Sequence, residues 1–233
     1  MPLWARQRLA VLVGRQRWLG DRYWWAFELL RDFAERDPDG FHRFLWANHL
    51  AYAESYEVER RFGPDQVHPT RRMLFADMEG VLRSRGVEPA KDVESVFEVG
   101  CSLGYLLRHL ETGPFAGARM LEGNDIDGYA VEVGGEQLAR MGSRVRLHRA
   151  DMGDLDQVFA GRRFDVTIAA GVLMYLRENA AAEVVRTMLR HTGRLAVFAG
   201  LAHPERDNRE LAESALRERD GTFIHNFDRM AAA

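Results

Sequence analysis

At 233 residues, with 46% hydrophobic and 29% charged residues, the chain has the composition of a folded globular protein. That length buries roughly 70% of the surface its unfolded form exposes. A formal charge of −3 argues against a general nucleic-acid binder, and a single cysteine, Cys101, excludes a disulfide framework and any multi-cysteine zinc site.

In chain order, the apolar stretch LAVLVG (9–14) comes first. It is too short to cross a bilayer and leads into Arg15 and Arg17 rather than a cleavage site, so no targeting or membrane segment is read and a cytoplasmic location is expected. The sequence DRYWWAFELLRDFAERD (21–37) reads as a helix capped by Asp21, with apolar Trp25, Leu29 and Phe33 in step. HLAYAESYEVERRFG (49–63) reads as a second helix, and PTRRMLFADMEGVLRSRG (69–86) as a third that opens on proline and stops at glycine. The five tryptophans all precede residue 90, where the rhythm changes. Strands are then predicted at 95–100, 118–125, 144–150, 164–171 and 194–200, with helices at 103–112, 127–141, 154–160 and 177–191 between them. Strand–helix alternation with runs apolar on both faces predicts an α/β fold with a doubly wound, mostly parallel sheet. The tail ERDNRELAESALRERD (205–220) reads as a charged helix.

The first strand ends in FEVGCSLGYLLRHLE (97–111). In open α/β sheets the ligand sits at such carboxyl ends. A dinucleotide fingerprint anchored on Gly100 requires glycines where Ser102 and Tyr105 stand, and a phosphate-loop G-K-[ST] is missing. What remains is Glu98-x-Gly100-x-x-x-Gly104. Downstream, GNDID (123–127) closes the second strand, where Asp125 is placed to accept from ribose hydroxyls and Asp127 to cap the next helix. Both can also be plain turn aspartates. RADMGD (149–154) follows the third strand, and FDVTIAAGVLMYL (164–176) contains the fourth.

In order and interval these four stretches resemble the motifs of class I S-adenosylmethionine-dependent methyltransferases, over about residues 93–200. The resemblance implies a Rossmann-like sheet in the order 3-2-1-4-5 with an N-terminal helical cap, residues 1–90 as a lid and substrate-binding extension, and 91–233 as the cofactor-binding core. It implies S-adenosyl-L-methionine as cofactor, S-adenosyl-L-homocysteine as product, and no metal. Glu98 would stand near the ammonium and sulfonium, Gly100, Cys101 and Gly104 would form the close-approach loop, and Asp125 with Ile126 would meet the ribose. Asp151 would accept from the adenine amino group with the Met152 amide facing the ring, and Ala170 and Gly171 would leave room at the fourth strand's tip. A glycine-bearing turn without a ligand is the competing reading of the first motif.

The acceptor is less constrained. His49, Tyr52 and Tyr56 share a face if 49–63 is helical, and that face either contacts cofactor or acceptor or packs as a half-buried aromatic surface. Tyr175, His203 and His49 are the candidate bases, with His225 in the tail, while His109, His148 and His191 read as structural. Arg71 or Arg72 can reach a substrate carboxylate or simply open a solvated helix. The D/N/S-P-P-Y/F/W tetrapeptide of nucleic-acid amino-methyltransferases is replaced by AAGV, no Pro-Cys pair serves C5 chemistry, and Glu178 lacks the partner glutamate of arginine methyltransferases. The expected activity is methyl transfer to oxygen or nitrogen of a small, biosynthetic acceptor, with no nucleic-acid or membrane partner. A non-catalytic or truncated cofactor-binding module and a peptide or protein methyltransferase are the alternatives. The antiparallel hairpin that follows the fifth strand in this superfamily is expected to be absent or truncated, leaving an edge that a homodimer can shield.

Overall fold

The structure is a computed structural model that describes residues 1–14, 16, 22–50, 58–63, 67–218 and 220–232. Six helices precede the sheet among these residues: α1 (Leu3–Gly14), α2 (Arg22–Arg36), α3 (Pro38–Ala47), α4 (Val58–Arg61), α5 (Pro69–Ser84) and α6 (Pro89–Asp92). Asp21 lies outside the described residues, as do 51–57, which hold Tyr52 and Tyr56. The sequence reading contains no helix at α3. Asp37 starts it, accepting from the Gly40 amide at 3.0 Å, with Pro38 in the first turn where its missing N–H leaves no bond unmade. Helices α1, α2 and α3 share a core of Ala10, Ala26, Leu30, Phe41 and Leu45, to which Leu50 adds. His49 does not sit on a helix as expected: it ends α3 in a left-handed turn with φ of 57°.

Strands β1 (Ser95–Val99), β2 (Met120–Asp125), β3 (Arg146–Arg149), β4 (Phe164–Ala170) and β5 (Thr192–Ala199) form one parallel sheet in the order β3-β2-β1-β4-β5. Parallel neighbours require crossovers, supplied by α7 (Tyr105–Thr112), α8 (Gly128–Arg140), α9 (Leu155–Phe159) and α10 (Glu178–Arg190). Central β1 pairs on both sides, Val96 standing opposite Leu121 of β2 and Val166 of β4. Its alternate side chains enter two cores. Val96 joins Phe75, Met78 and Leu107, while Phe97 and Val99 join Phe159, Val185 and Met188. Burial on both faces explains why these strands read as continuous apolar runs. No helix among the described residues is long and apolar enough to cross a membrane.

The tail departs from expectation. In place of a charged helix over 205–220 there is one short helical turn, Asn208–Glu210, then β6 (Ala215–Arg217) and β7 (Thr222–Ile224), followed by α11 (Phe227–Ala232). The two strands pair antiparallel as a ribbon of their own and do not extend the sheet. Tertiary hydrogen bonds outweigh helix propensity here: the Asn208 amide donates to the carbonyls of Leu201 and His225, and the Asn226 amide to those of Arg209 and Leu211. The hairpin is thus present but reduced to three residues a strand.

One carboxylate ties β2 and β3 to the turn after α9. Glu122 on β2 is buried, and it accepts from His148 at 2.8 Å and from both Arg162 terminal nitrogens at 2.8 and 3.0 Å. The His148 hydrogen bond, aided by Arg162, outweighs burial and holds the carboxyl down at about 2. Its stabilising contribution is complete above the ordinary glutamate value and is lost as pH falls through the folded one. Glu122→Gln is expected to lower stability at pH 7 by about 2–3 kcal/mol and to flatten the acid limb of the unfolding profile between about pH 4.5 and 2; chemical denaturation at stepped pH reads both.

Candidate active site

The loop after β1 turns through left-handed conformations at Gly100 (φ 69°), Ser102 (φ 52°) and Gly104 (φ 75°) before α7 begins. Such values are costly for a residue with a side chain, and Ser102 is held there by the second strand. The Ser102 amide donates to Asp125 Oδ2 at 2.8 Å, the Cys101 amide donates to the Asn124 carbonyl at 2.9 Å, and Asp125 Oδ1 accepts from the Asp127 amide at 2.9 Å. Burial raises the Asp125 carboxyl above its usual value, against those amide donors. Asp127 caps α8 as expected, accepting from the amides of Tyr129 and Ala130.

Above these strand ends lies a cavity of about 240 Å³. Gly100, Ser102 and Tyr105 line it from the first loop, Asn124, Asp125 and Ile126 from the second, and Ala150, Asp151 and Met152 from the third. Gly171, Val172, Tyr175 and Leu176 come from the loop after β4. Its roof is α3, which contributes Asp39, His42, Arg43 and Trp46, with Arg61 from α4. Polar and ring contacts hold the roof down. Arg43 Nε pairs with Asp151 Oδ2 at 2.7 Å, the Arg177 amide donates to Asp39 at 2.7 Å, and the Tyr175 ring packs 5.1 Å from His42 and 5.4 Å from Trp46. These roof residues were missed in the sequence. The Asp-Pro start at 37–38 and the spacing 39, 42, 43, 46 were the available signals.

The structure brings Gly100, Asp125, Ile126, Asp151, Met152, Gly171 and Tyr175 to one wall and leaves other expected residues off it. Gly104 faces the core, where a side-chain carbon would stand 2.8 Å from Leu147. Cys101 is buried against Gly123, where an added carbon would meet the Cys101 Cβ at 2.6 Å, and burial pushes its thiol well up. Ala170 presents its carbonyl to Arg71 Nη2 at 2.6 Å. Glu98 lies beneath the loop, 3% exposed, with Oε2 lacking a hydrogen-bond partner among the described residues. Burial lifts its carboxyl to about 8, despite the nearby Arg71 charge.

The expected bases separate in the same way. Tyr175 is on the wall, whereas His49 Nδ1 pairs with Asp127 Oδ2 at 2.7 Å behind the loop. His203 holds its own turn, its Nδ1 accepting from the Glu205 amide and its amide donating to Asn208. His225 uses both ring nitrogens, with the Leu173 carbonyl and Ser214 Oγ. Arg72 donates to the Val67 carbonyl.

Residues 96–194 match the family model described as a methyltransferase domain. No curated protein matches the sequence. The fold is similar to that of magnesium protoporphyrin IX methyltransferase from Synechocystis PCC 6803 with bound S-adenosylmethionine, at a TM-score of 0.50 and 16% identity over 83% of this chain and 82% of that one. It is also similar to an O-methyltransferase from the trans-AT PKS multienzyme of Brevibacillus brevis in complex with S-adenosyl-L-homocysteine, at a TM-score of 0.50 and 14% identity, covering 77% of this chain and 54% of that one. Domain match, strand order and the site at the sheet's carboxyl edge together support the class I S-adenosylmethionine-dependent methyltransferase superfamily.

The residues present fit that cofactor. The cavity wall carries acceptors in the Asp125 and Asp151 carboxylates, and behind it lies Asn124 Oδ1, buried without a partner among the described residues while its Nδ2 donates to the Ala150 carbonyl. A ligand bearing an ammonium, an adenine amino group and ribose hydroxyls supplies donors and positive charge, where a pyrophosphate would supply neither. Among the described residues no three histidine, cysteine, aspartate or glutamate side chains are grouped to hold a metal ion.

Gly100 sits where a side chain has no room: an added carbon would overlap Val172 at a φ of 69°. Gly100→Ala is expected to cost about 2–4 kcal/mol from backbone strain and overpacking together, read as a lowered denaturation midpoint. An unchanged midpoint would mean that the loop is not held as described.

Proposed function

We propose that the protein transfers the methyl group to oxygen or nitrogen of a small molecule bound between α3 and the loop after β4. The roof of α3 carries this reading, because a roofed cleft lined by aromatic side chains suits a compact acceptor better than a peptide or a nucleic-acid strand. In this reading residues 1–90 act as the lid and 91–233 as the core. A biosynthetic acceptor is in keeping with the PKS-borne O-methyltransferase of similar fold.

When bound, S-adenosylmethionine supplies an electrophilic methyl whose carbon–sulfur pair leaves on sulfur, so transfer to an O–H or N–H acceptor releases one proton. The chain's own task is to align and to exclude water. Asp125 accepts from the ribose hydroxyls while still bracing Ser102, and Asp151 and Asn124 Oδ1 take the adenine side. Glu98, neutral beneath the loop, would ionise in part toward the cationic tail. Tyr175, Trp46 and Leu176 shape the acceptor side and keep it dry.

Calorimetric titration with S-adenosylmethionine, S-adenosylhomocysteine and NADH tests the cofactor side; binding of NADH alone would overturn it. Asp125→Ala should weaken S-adenosylmethionine binding about tenfold or more, through lost hydroxyl contacts and a freed loop. Glu98 is mostly protonated at pH 7, since its folded value lies at about 8. An arriving cation favours its ionised form, so binding should release a fraction of a proton, seen as a heat that depends on the buffer's ionisation enthalpy. Glu98→Gln should abolish that dependence, and a buffer-independent heat in the wild type would remove Glu98 from the site. A screen of metabolite extracts with labelled methyl donor tests the acceptor side, where label entering only protein would reverse the reading.

A further inference from the structure

On the roof, His42 is buried with one ring nitrogen that has no hydrogen-bond partner among the described residues. It is 2% exposed, yet it stands on the cavity wall. Its Nε2 lies 3.2 Å from the backbone carbonyl of Gly221, in the turn between β6 and β7. A carbonyl only accepts, so the ring hydrogen of the neutral imidazole stands on Nε2. Nδ1 therefore carries a lone pair, and it is buried without a hydrogen-bond partner among the described residues. Burial holds the imidazole below the ordinary histidine value, against the Gly221 contact and the Asp220 charge, so the ring is neutral at pH 7. A buried acceptor without a donor is unfavourable, and an occupant of the cavity can bring that donor.

The surroundings narrow what the occupant is. On the wall beside His42 stands the Tyr175 ring at 5.1 Å, and Trp46 and Leu176 continue it, while the Phe41 ring backs the imidazole from the helical core at 5.4 Å. These are surfaces for a flat apolar body, with a neutral acceptor set at its margin.

We propose that His42 is the proton acceptor of the reaction, and that the methyl acceptor is an aromatic ring whose hydroxyl donates to Nδ1. This rests on the small-molecule reading above and names its substrate class. The hydroxyl proton passes to Nδ1 as the oxygen commits an electron pair to the new carbon–oxygen bond, and the imidazolium returns the proton to solvent when the roof opens. The Asp220 carboxylate attends the transient positive charge. Tyr175, expected from the sequence as a base, becomes the ring that positions the acceptor.

The test uses the full chain with 15N-labelled histidine. S-adenosylhomocysteine is first titrated by calorimetry; failure to bind would overturn the cofactor-site reading and is recorded before any acceptor is added. The loaded protein is then titrated with phenol and, in parallel, with anisole, which has the ring without the donor. The His42 resonances are assigned by their loss in His42→Gln, whose side-chain amide can still donate to Gly221. The expected result is an unprotonated Nδ1 at pH 7 whose resonance moves with phenol and not with anisole. Phenol affinity should fall about fivefold in His42→Gln, while S-adenosylhomocysteine affinity stays unchanged. A hydrogen on Nδ1, a resonance unmoved by phenol or moved equally by anisole, or equal phenol affinity in the variant would overturn the proposal. Should the variant fail to fold, the wild-type phenol and anisole titrations decide alone, with the resonances assigned by sequential connectivity.

Discussion

The Asp125 carboxylate is the joint on which the site turns. One oxygen holds the Ser102 amide and the other the Asp127 amide. Through the first it keeps Ser102 in a left-handed conformation that the residue would not adopt alone, and so fixes the path of the chain from β1 into α7. Through the second it sets the start of α8. The cavity mouth exists because these two loops are drawn to one side chain and open between them. An acidic residue here is therefore structural before any ligand arrives, and ligand binding and loop geometry draw on the same two oxygens.

The roof obeys a complementary logic. Arg43 reaches down to Asp151, Asp39 receives the Arg177 amide, and His42 touches the ribbon at Gly221. Each contact spans a different pair of elements, so α3 is fastened to the third strand's loop, the fourth strand's loop and the tail. The wall below it presents the Asp125 and Asp151 carboxylates, and Asn124 Oδ1 behind it is buried with nothing to accept from among the described residues. Glu98 beneath the loop is kept neutral by the same burial. Such a surface is electrostatically unfinished, and a cation rich in donors completes it.

The sheet was legible because its strands are buried on both faces and separated by amphipathic helices, a pattern that survives in a single sequence. The loop was legible from Glu98, Gly100 and Gly104 at strand-end spacing, although Gly104 and Cys101 turn out to answer to packing on Leu147 and Gly123 rather than to the cavity. Helix α3 escaped notice because Pro38 and Gly40 resemble a loop, while its Asp37 cap and four cavity-facing residues only make sense once β4 lies beneath them. The tail escaped for the opposite reason. Residues 205–220 carry helix-forming side chains, and only the distant carbonyls that Asn208 and Asn226 capture pull the chain into a ribbon. Local propensity was readable; contacts between residues far apart in sequence were not.

The ribbon's position gives its small size a larger meaning. Because Gly221 offers a carbonyl to Nε2 of His42, a two-stranded turn late in the chain decides which nitrogen of an early helix holds the hydrogen. The first and last parts of the chain thus meet over the catalytic domain as a clasp. A shift of that turn by a single residue would exchange donor for acceptor at the cavity's edge while leaving every side chain on its wall unaltered.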